Sequence, residues 1–457
     1  MGHGWMDELR ALLVLGWPLV VAQLAQNALS ITDIVMLGWL GPDALASATL
    51  AHALFFSVML FGVGVTGAVA PLVAQALGAG KLRAVRRTVR QGMWVAICLA
   101  VLLIPIVWFV RPIYVAIGQD PELSAMAEIY MHAACWTFLP AFMIIVLRSF
   151  LSAMGATRVV LVITLAGVVV NAALDYALIF GNWGFPRLEL AGAGIATSLV
   201  NVVMLGLMAG YVVTHRRYRR YHIFGRFHVP DWYTFGRIWK LGLPLAFMLL
   251  AEVGLFTFAS LMQGWIGRDQ VAAHAIALQL SSFAFMVPLG LAQATTVRVG
   301  LSVGAGSSEG VRKAGWVALG LTLAFMTSSM VLLLMMPETL AGLFLDPSKA
   351  ANAAPLALAV SYLFITAVFQ VFDGTQATMA AALRGLNDTS VPMIIAIVGY
   401  WGIGFPTAWL LGFQAGLGGI GIWWGLAAGL AFVATSLVIR FALRERLGLM
   451  ARATRHG

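Results

Sequence analysis

Twelve apolar stretches, each roughly 20 residues or longer, follow one another along this chain with short polar breaks between them. No other feature constrains the fold as strongly. In hydrocarbon every backbone N–H and C=O must be satisfied internally, so only helices and closed barrels cross a bilayer. Runs of this length match helices, because a hydrocarbon core of about 30 Å takes about 20 residues. The spans are placed at roughly 11–38, 46–76, 91–113, 124–150, 159–181, 190–213, 238–266, 274–300, 313–336, 353–382, 390–412 and 418–440. Only 10% of the residues are charged, against about 25% in a soluble domain. The expected fold class is therefore an all-α polytopic membrane protein with twelve transmembrane helices. No cleavable signal peptide is expected, since Met1 to Arg10 is mixed in charge and the run after it is too long for a signal peptide.

A net charge of +10 would suit a nucleic-acid partner, but the placement of the charge removes that reading. Arg111, Arg187, Arg268 and Lys349 belong to one set of alternate loops, and the other 24 of the 28 basic residues to the opposite set. The positive-inside rule then puts the rich set, and both termini, in the cytoplasm. An even number of spans is required, and twelve satisfies it. The basic segment 215–226 reads as a topology determinant that touches anionic membrane lipid.

The two halves resemble each other at an offset of 226 residues. Gly16 and Pro18 align with Gly242 and Pro244, and Met36, Gly38, Trp39 and Gly41 with Met262, Gly264, Trp265 and Gly267. Gly64 aligns with Gly290, Gly78-Ala79-Gly80 with Gly304-Ala305-Gly306, and Val85-Arg86 with Val311-Arg312. Six spans per repeat make the repeats parallel, related by a pseudo-twofold axis along the membrane normal. The division is an N-terminal six-helix lobe over 1–214, a basic cytoplasmic linker over 215–237, and a C-terminal six-helix lobe over 238–457.

Five carboxylates lie in or near the spans: Asp33, Glu128, Asp175, Glu252 and Asp373. A charge at the bilayer centre costs about 2.5–3.5 kcal/mol on insertion scales, and all 28 basic residues map to span ends. Each acid is expected to exchange what neutralises it: a proton, a metal cation or a cationic ligand. The acids do not follow the repeat. Asp33 falls on Ala259 and Glu252 on Gln26, while at a later, drifted offset Asp175 falls on Phe405 and Asp373 on Met143. The lobes are therefore expected to do different jobs.

In the N-terminal half, Asn171 and Asp175 stand one helical turn apart and face the same way. Asp175 is roughly 24 Å along its span, a depth similar to that of Asp33. Two carboxylates with an amide between them can share a proton. In the C-terminal half, Glu252 is about 15 residues from Arg237 and Asp373 about 11 from Arg384, both near mid-membrane by helical rise. Phe369, Asp373 and Gln376 share a helix face. Glu252 and Asp373 can hold a proton or a sodium ion, a hard cation that suits oxygen ligands. A satisfied contact to a neighbouring helix is the alternative reading for any single acid, and Glu128 reads as an interfacial residue. Gln26, Phe369 and Gln376 are candidates for lining a cavity. His52, His132, His274, Cys98 and Cys135 show no ligand spacing, and no metal centre, disulfide or cofactor is expected.

With these residues in hand, the chain resembles the multidrug and toxic compound extrusion (MATE) family, in its NorM-like branch. The resemblance covers nearly the whole chain. It rests on Gly16-Trp17-Pro18, on Thr32-Asp33 before Met36-Leu37-Gly38, and on Pro71-Leu72-Val73-Ala74-Gln75 leading to Gly78-Ala79-Gly80. It rests also on Asn171 through Asp175-Tyr176 to Phe180-Gly181, on Glu252, and on Gln370-Val371-Phe372-Asp373 through Gln376. It implies export of cationic amphipathic drugs in exchange for H+ or Na+, by alternating access, from a monomer in the bacterial inner membrane. It implies a C-lobe cation site at Glu252 and Asp373, and an N-lobe proton site at Asp33, Asn171 and Asp175. Phe369 stands where NorM-like members often carry tyrosine, which removes an oxygen ligand for sodium and favours protons. A flippase for lipid-linked precursors is the alternative, but it should present Arg or Lys inside the cavity to meet phosphate. An enzyme would need a nucleophile with a base, or a metal set, and none is visible.

Overall fold

The computed structural model describes residues 4–455. The chain ends, whose side of the membrane was assigned above, lie outside the described residues. Every regular element among the described residues is helical. Twelve helices are long and apolar enough to cross a membrane. They are α1 (Trp5–Leu40), α2 (Pro42–Gly78), α3 (Leu82–Trp108), α4 (Pro121–Ala153), α5 (Thr157–Phe180) and α6 (Leu190–Thr214), then α7 (Trp232–Ile266), α8 (Arg268–Gly304), α9 (Ser308–Met335), α10 (Ala350–Gly385), α11 (Ser390–Gln414) and α12 (Gly419–Ala442).

All twelve expected spans are present, and several extend beyond the apolar run. The largest difference is at α3, which starts at Leu82 rather than near 91. Hydropathy ends a span at its first charges, but arginine is a good helix former, and Arg83, Arg86, Arg87 and Arg90 occupy the first turns of the helix. Local chemistry sets the other ends. Asp120 caps α4 by accepting from the Glu122 and Leu123 backbone N–H groups, with Pro121 in the first turn. Gly181 ends α5 in the left-handed region at φ 71, a conformation with little cost only for glycine. In α11, π-helical turns over Val398–Gly404 and Leu410–Gln414 flank Pro406, whose missing N–H breaks the regular ladder.

Packing separates two compact units, Val21–Ala246 and Met1–Val20 with Phe247–Gly457. The division at 1–214 and 238–457 follows the sequence repeat, whereas the compact units follow packing. Both unit breaks fall inside long helices, just after Pro18 in α1 and Pro244 in α7. Each six-helix repeat thus exchanges the start of its first helix with the other.

The exchange uses matched contacts. In the Val21–Ala246 unit, a Cβ on Gly64 would lie 2.5 Å from Ala246 Cα, and one on Gly242 would lie 2.4 Å from the Val65 carbonyl oxygen. In the other unit, a Cβ on Gly290 would lie 2.6 Å from Val20 Cα, and one on Gly16 would lie 3.1 Å from the Leu291 side chain. Residues 20 and 246, and 65 and 291, stand at the same 226-residue offset as the glycines. At Gly64, Gly242 and Gly290 the missing side chain lets backbone meet backbone, and at Gly16 it admits the Leu291 side chain. The start of α1 is further held by Glu8, whose carboxylate accepts from Arg298 Nε at 2.8 Å and Nη2 at 2.7 Å.

Candidate functional site

Four of the five span carboxylates sort into two hydrogen-bonded groups, one in each compact unit. In the Val21–Ala246 unit, α1 supplies Asp33 and α5 supplies Asn171 and Asp175. Asn171 Nδ2 donates to Asp33 Oδ1 at 2.8 Å and to Asp175 Oδ2 at 3.2 Å. The Thr197 hydroxyl, on α6, bonds Asp33 Oδ2 at 3.3 Å. Asp175 is fully enclosed and its Oδ1 has no partner, while Asp33 is half-buried. Tyr130, on α4, is buried at 5% exposure and lies within electrostatic range of both aspartates.

In the other unit, α7 supplies Glu252 and α10 supplies Asp373 and Gln376. Gln376 Nε2 donates to Glu252 Oε1 at 3.1 Å and to Asp373 Oδ1 at 3.3 Å. Asp373 and Gln376 are buried and Glu252 is half-buried. Tyr400 is fully enclosed, its hydroxyl has no partner, and both acids are within electrostatic range. The π-helical turn that carries it docks on the Glu252 stretch. Trp401 Nε1 donates to the Ala251 carbonyl at 3.1 Å, and Gly254 leaves the room that the Trp401 ring occupies.

None of the four acids is ion-paired with Lys or Arg among the described residues. Two ionised carboxylates gathered on one amide repel each other in a low-dielectric interior. A single positive charge shared between them, a proton or a cation, removes the repulsion. Each group thus sets two carboxylates on the N–H atoms of one amide, an arrangement that a shared positive charge would stabilise.

The remaining candidates lie elsewhere. Glu128 is half-buried on α4 and enters neither group. Gln26 is exposed on α1. Phe369, one turn before Asp373, is fully enclosed with its ring 5.8 Å from Phe256 and 5.4 Å from Trp423. His132 stacks on Trp108 at 3.9 Å, and His274 meets the Ser260 hydroxyl at 3.0 Å. No three His, Cys, Asp or Glu side chains cluster as metal ligands among the described residues.

Sequence reasoning found the carboxylates and both amides but missed Thr197, Tyr130 and Tyr400. Thr197 and Tyr130 carry no linear signal, because each joins the group from a different helix. Tyr400 had one: a lone tyrosine in an apolar span beside Gly399, Gly402 and Gly404.

A family model described as MatE matches residues 18–177 and 244–410, once in each half of the chain. "Probable multidrug resistance protein NorM" of Mesorhizobium japonicum is 46% identical over 445 residues, covering 97% of this chain and 95% of the relative. A protein of the same description in Rhizobium meliloti is 46% identical over 439 residues, with 96% and 94% covered. Among solved structures, the eukaryotic MATE transporter AtDTX14 superposes with a TM-score of 0.86 over 100% of both chains at 21% identity. At that identity the likeness is one of fold.

Proposed function

The chain belongs to the MatE family, and from that premise we propose that this integral membrane protein is a secondary active multidrug efflux antiporter. It exports cationic amphipathic compounds from the bacterial cytoplasm across the inner membrane by alternating access, in exchange for H+ or Na+, with both termini cytoplasmic. It is a transporter and not an enzyme. The relatives' description as multidrug resistance proteins supports the substrate class.

One observation carries the coupling role. Two carboxylate pairs, Asp33 with Asp175 and Glu252 with Asp373, each gather on one amide inside the spans without a basic partner. Such a pair binds a single positive charge and releases it when access changes. The Glu252–Asp373 pair favours the proton. Gln376 turns its N–H group, not its carbonyl oxygen, toward both acids, and Phe369 brings no oxygen. A hard metal cation would need several oxygen ligands.

The test is transport of a cationic dye in proteoliposomes with a pH gradient or a sodium gradient imposed separately. A pH gradient alone should drive transport. Transport driven by sodium alone would assign the pair to sodium, and transport driven by neither would overturn the antiport reading.

A further inference from the structure

We infer that the start of α3 and the segment 226–229 form a binding site for the phosphodiester headgroup of an anionic phospholipid. The site is independent of the coupling ion and of the drug.

Arg83, Arg86, Arg87 and Arg90 stand at positions i, i+3, i+4 and i+7 of α3 and so share one helix face. Topology alone asks for positive charge in the loop and sets no helical register. A fifth arginine joins them from the inter-repeat segment. Arg90 Nη1 donates to the Arg226 carbonyl at 2.8 Å, and Arg86, Arg87 and Arg226 all lie within electrostatic range of Arg90. The segment is fixed on α3 rather than loose. Trp94 Nε1 donates to the Phe227 carbonyl at 2.8 Å, and the two rings stack 5.1 Å apart. Gln91 Nε2 reaches the Val229 carbonyl at 3.4 Å.

The cluster lacks a counter-charge. None of the five arginines is in a salt bridge among the described residues. Asp231, the nearest acid in sequence, is occupied by Thr234, whose hydroxyl donates to it at 2.7 Å. Arg90 is only 5% exposed, and the buried Nε atoms of both Arg86 and Arg90 have no partner. Buried donors without acceptors are rare in folded chains. In the inter-repeat segment Arg226 holds φ 54 and His222 φ 45, the left-handed region that side chains seldom adopt.

A phosphodiester meets these needs together. Guanidinium forks bind phosphate oxygens in pairs. Arg83 to Arg90 spans roughly 10 Å of helix axis, comparable to the headgroup layer of several ångströms on each face of a bilayer. Trp94, one turn further along, is 38% exposed, as an interfacial tryptophan is. Phe224 is exposed in the same segment. This apolar surface beside the arginines suits a lipid rather than free phosphate.

The test uses the full chain in nanodiscs of phosphatidylcholine, with or without phosphatidylglycerol. Thermal stability is recorded, along with the lipid retained after transfer to neutral detergent. The wild type should retain phosphatidylglycerol over phosphatidylcholine and melt higher in its presence. Arg87→Gln/Arg226→Gln, at two exposed positions, should lose that preference roughly tenfold or more. Arg452→Gln/Arg455→Gln, an equal charge change at two exposed positions outside both the cluster and the basic linker, should keep it. Equal loss in both double variants, or loss in neither, overturns the site. Displacement of the lipid by inorganic phosphate would assign the cluster to a free anion instead.

Discussion

The two compact units reach one geometry with unrelated residues. In the first, an asparagine bridges two aspartates; in the second, a glutamine bridges a glutamate and an aspartate. In both, one acid comes from the first helix of the repeat and the amide shares a second helix with the other acid. In both, a buried tyrosine stands nearby. Yet none of these four acids aligns with an acid at the repeat offset, and the second helix is the fifth of its repeat in one unit and the fourth in the other. The glycine contacts, by contrast, align residue by residue. The packing thus follows the repeat, and the carboxylate groups were arranged on it separately. The surroundings also differ. Asp33 takes an added bond from Thr197, whereas the Tyr400 hydroxyl near Glu252 and Asp373 is unpartnered.

The strongest way to break the comparison is to neutralise one pair at a time. Glu252→Gln and Asp373→Asn should each reduce gradient-driven efflux to the level of protein-free vesicles, with expression unchanged. Normal transport by both would remove the second pair from coupling. Asp33→Asn should leave measurable efflux but alter its pH dependence; an unchanged pH profile would remove the first pair.

The amides test whether the shared geometry means a shared role. A hydrogen bond to a charged group contributes about 1.5–3 kcal/mol, and both amides donate to the ionised carboxylates, so Gln376→Leu and Asn171→Leu should each raise apparent proton affinity roughly tenfold or more. Equal shifts would make the groups equivalent, a shift in one alone would rank them, and no shift in either would break the bridging argument. The smallest effect concerns the scaffold. Gly64→Ala and Gly290→Ala should each destabilise their unit by about 1–3 kcal/mol through overpacking, read as a lower melting temperature. Loss in only one would show that the exchange contacts are unequal.

The helices were legible because hydrocarbon leaves the backbone few options, and twelve apolar runs became twelve helices. Their ends were less legible, as α3 shows, because amphipathic arginines continue a helix past the hydrophobic limit. The four acids stood out by their cost in lipid, and Asn171 and Gln376 by helical spacing to an aspartate. Thr197 and Tyr130 were invisible for the opposite reason: a hydroxyl is inexpensive in a helix, and nothing in one helix shows which side chain faces it from another. The exchanged helix starts were also hidden. Gly64 and Gly290 were seen as matching, but the repeat does not say which residue each glycine admits.

That exchange sets an order of events in time. Residues up to Val20 leave the ribosome first, yet they pack with the part of the chain that begins at Phe247. The 226 residues of Val21–Ala246 must be made in between. At about 5–20 residues per second, this takes roughly 10–45 s. Through that interval the start of α1 is already synthesised while the part of the chain it packs with is not, so the later-made half completes the packing of an earlier-made helix.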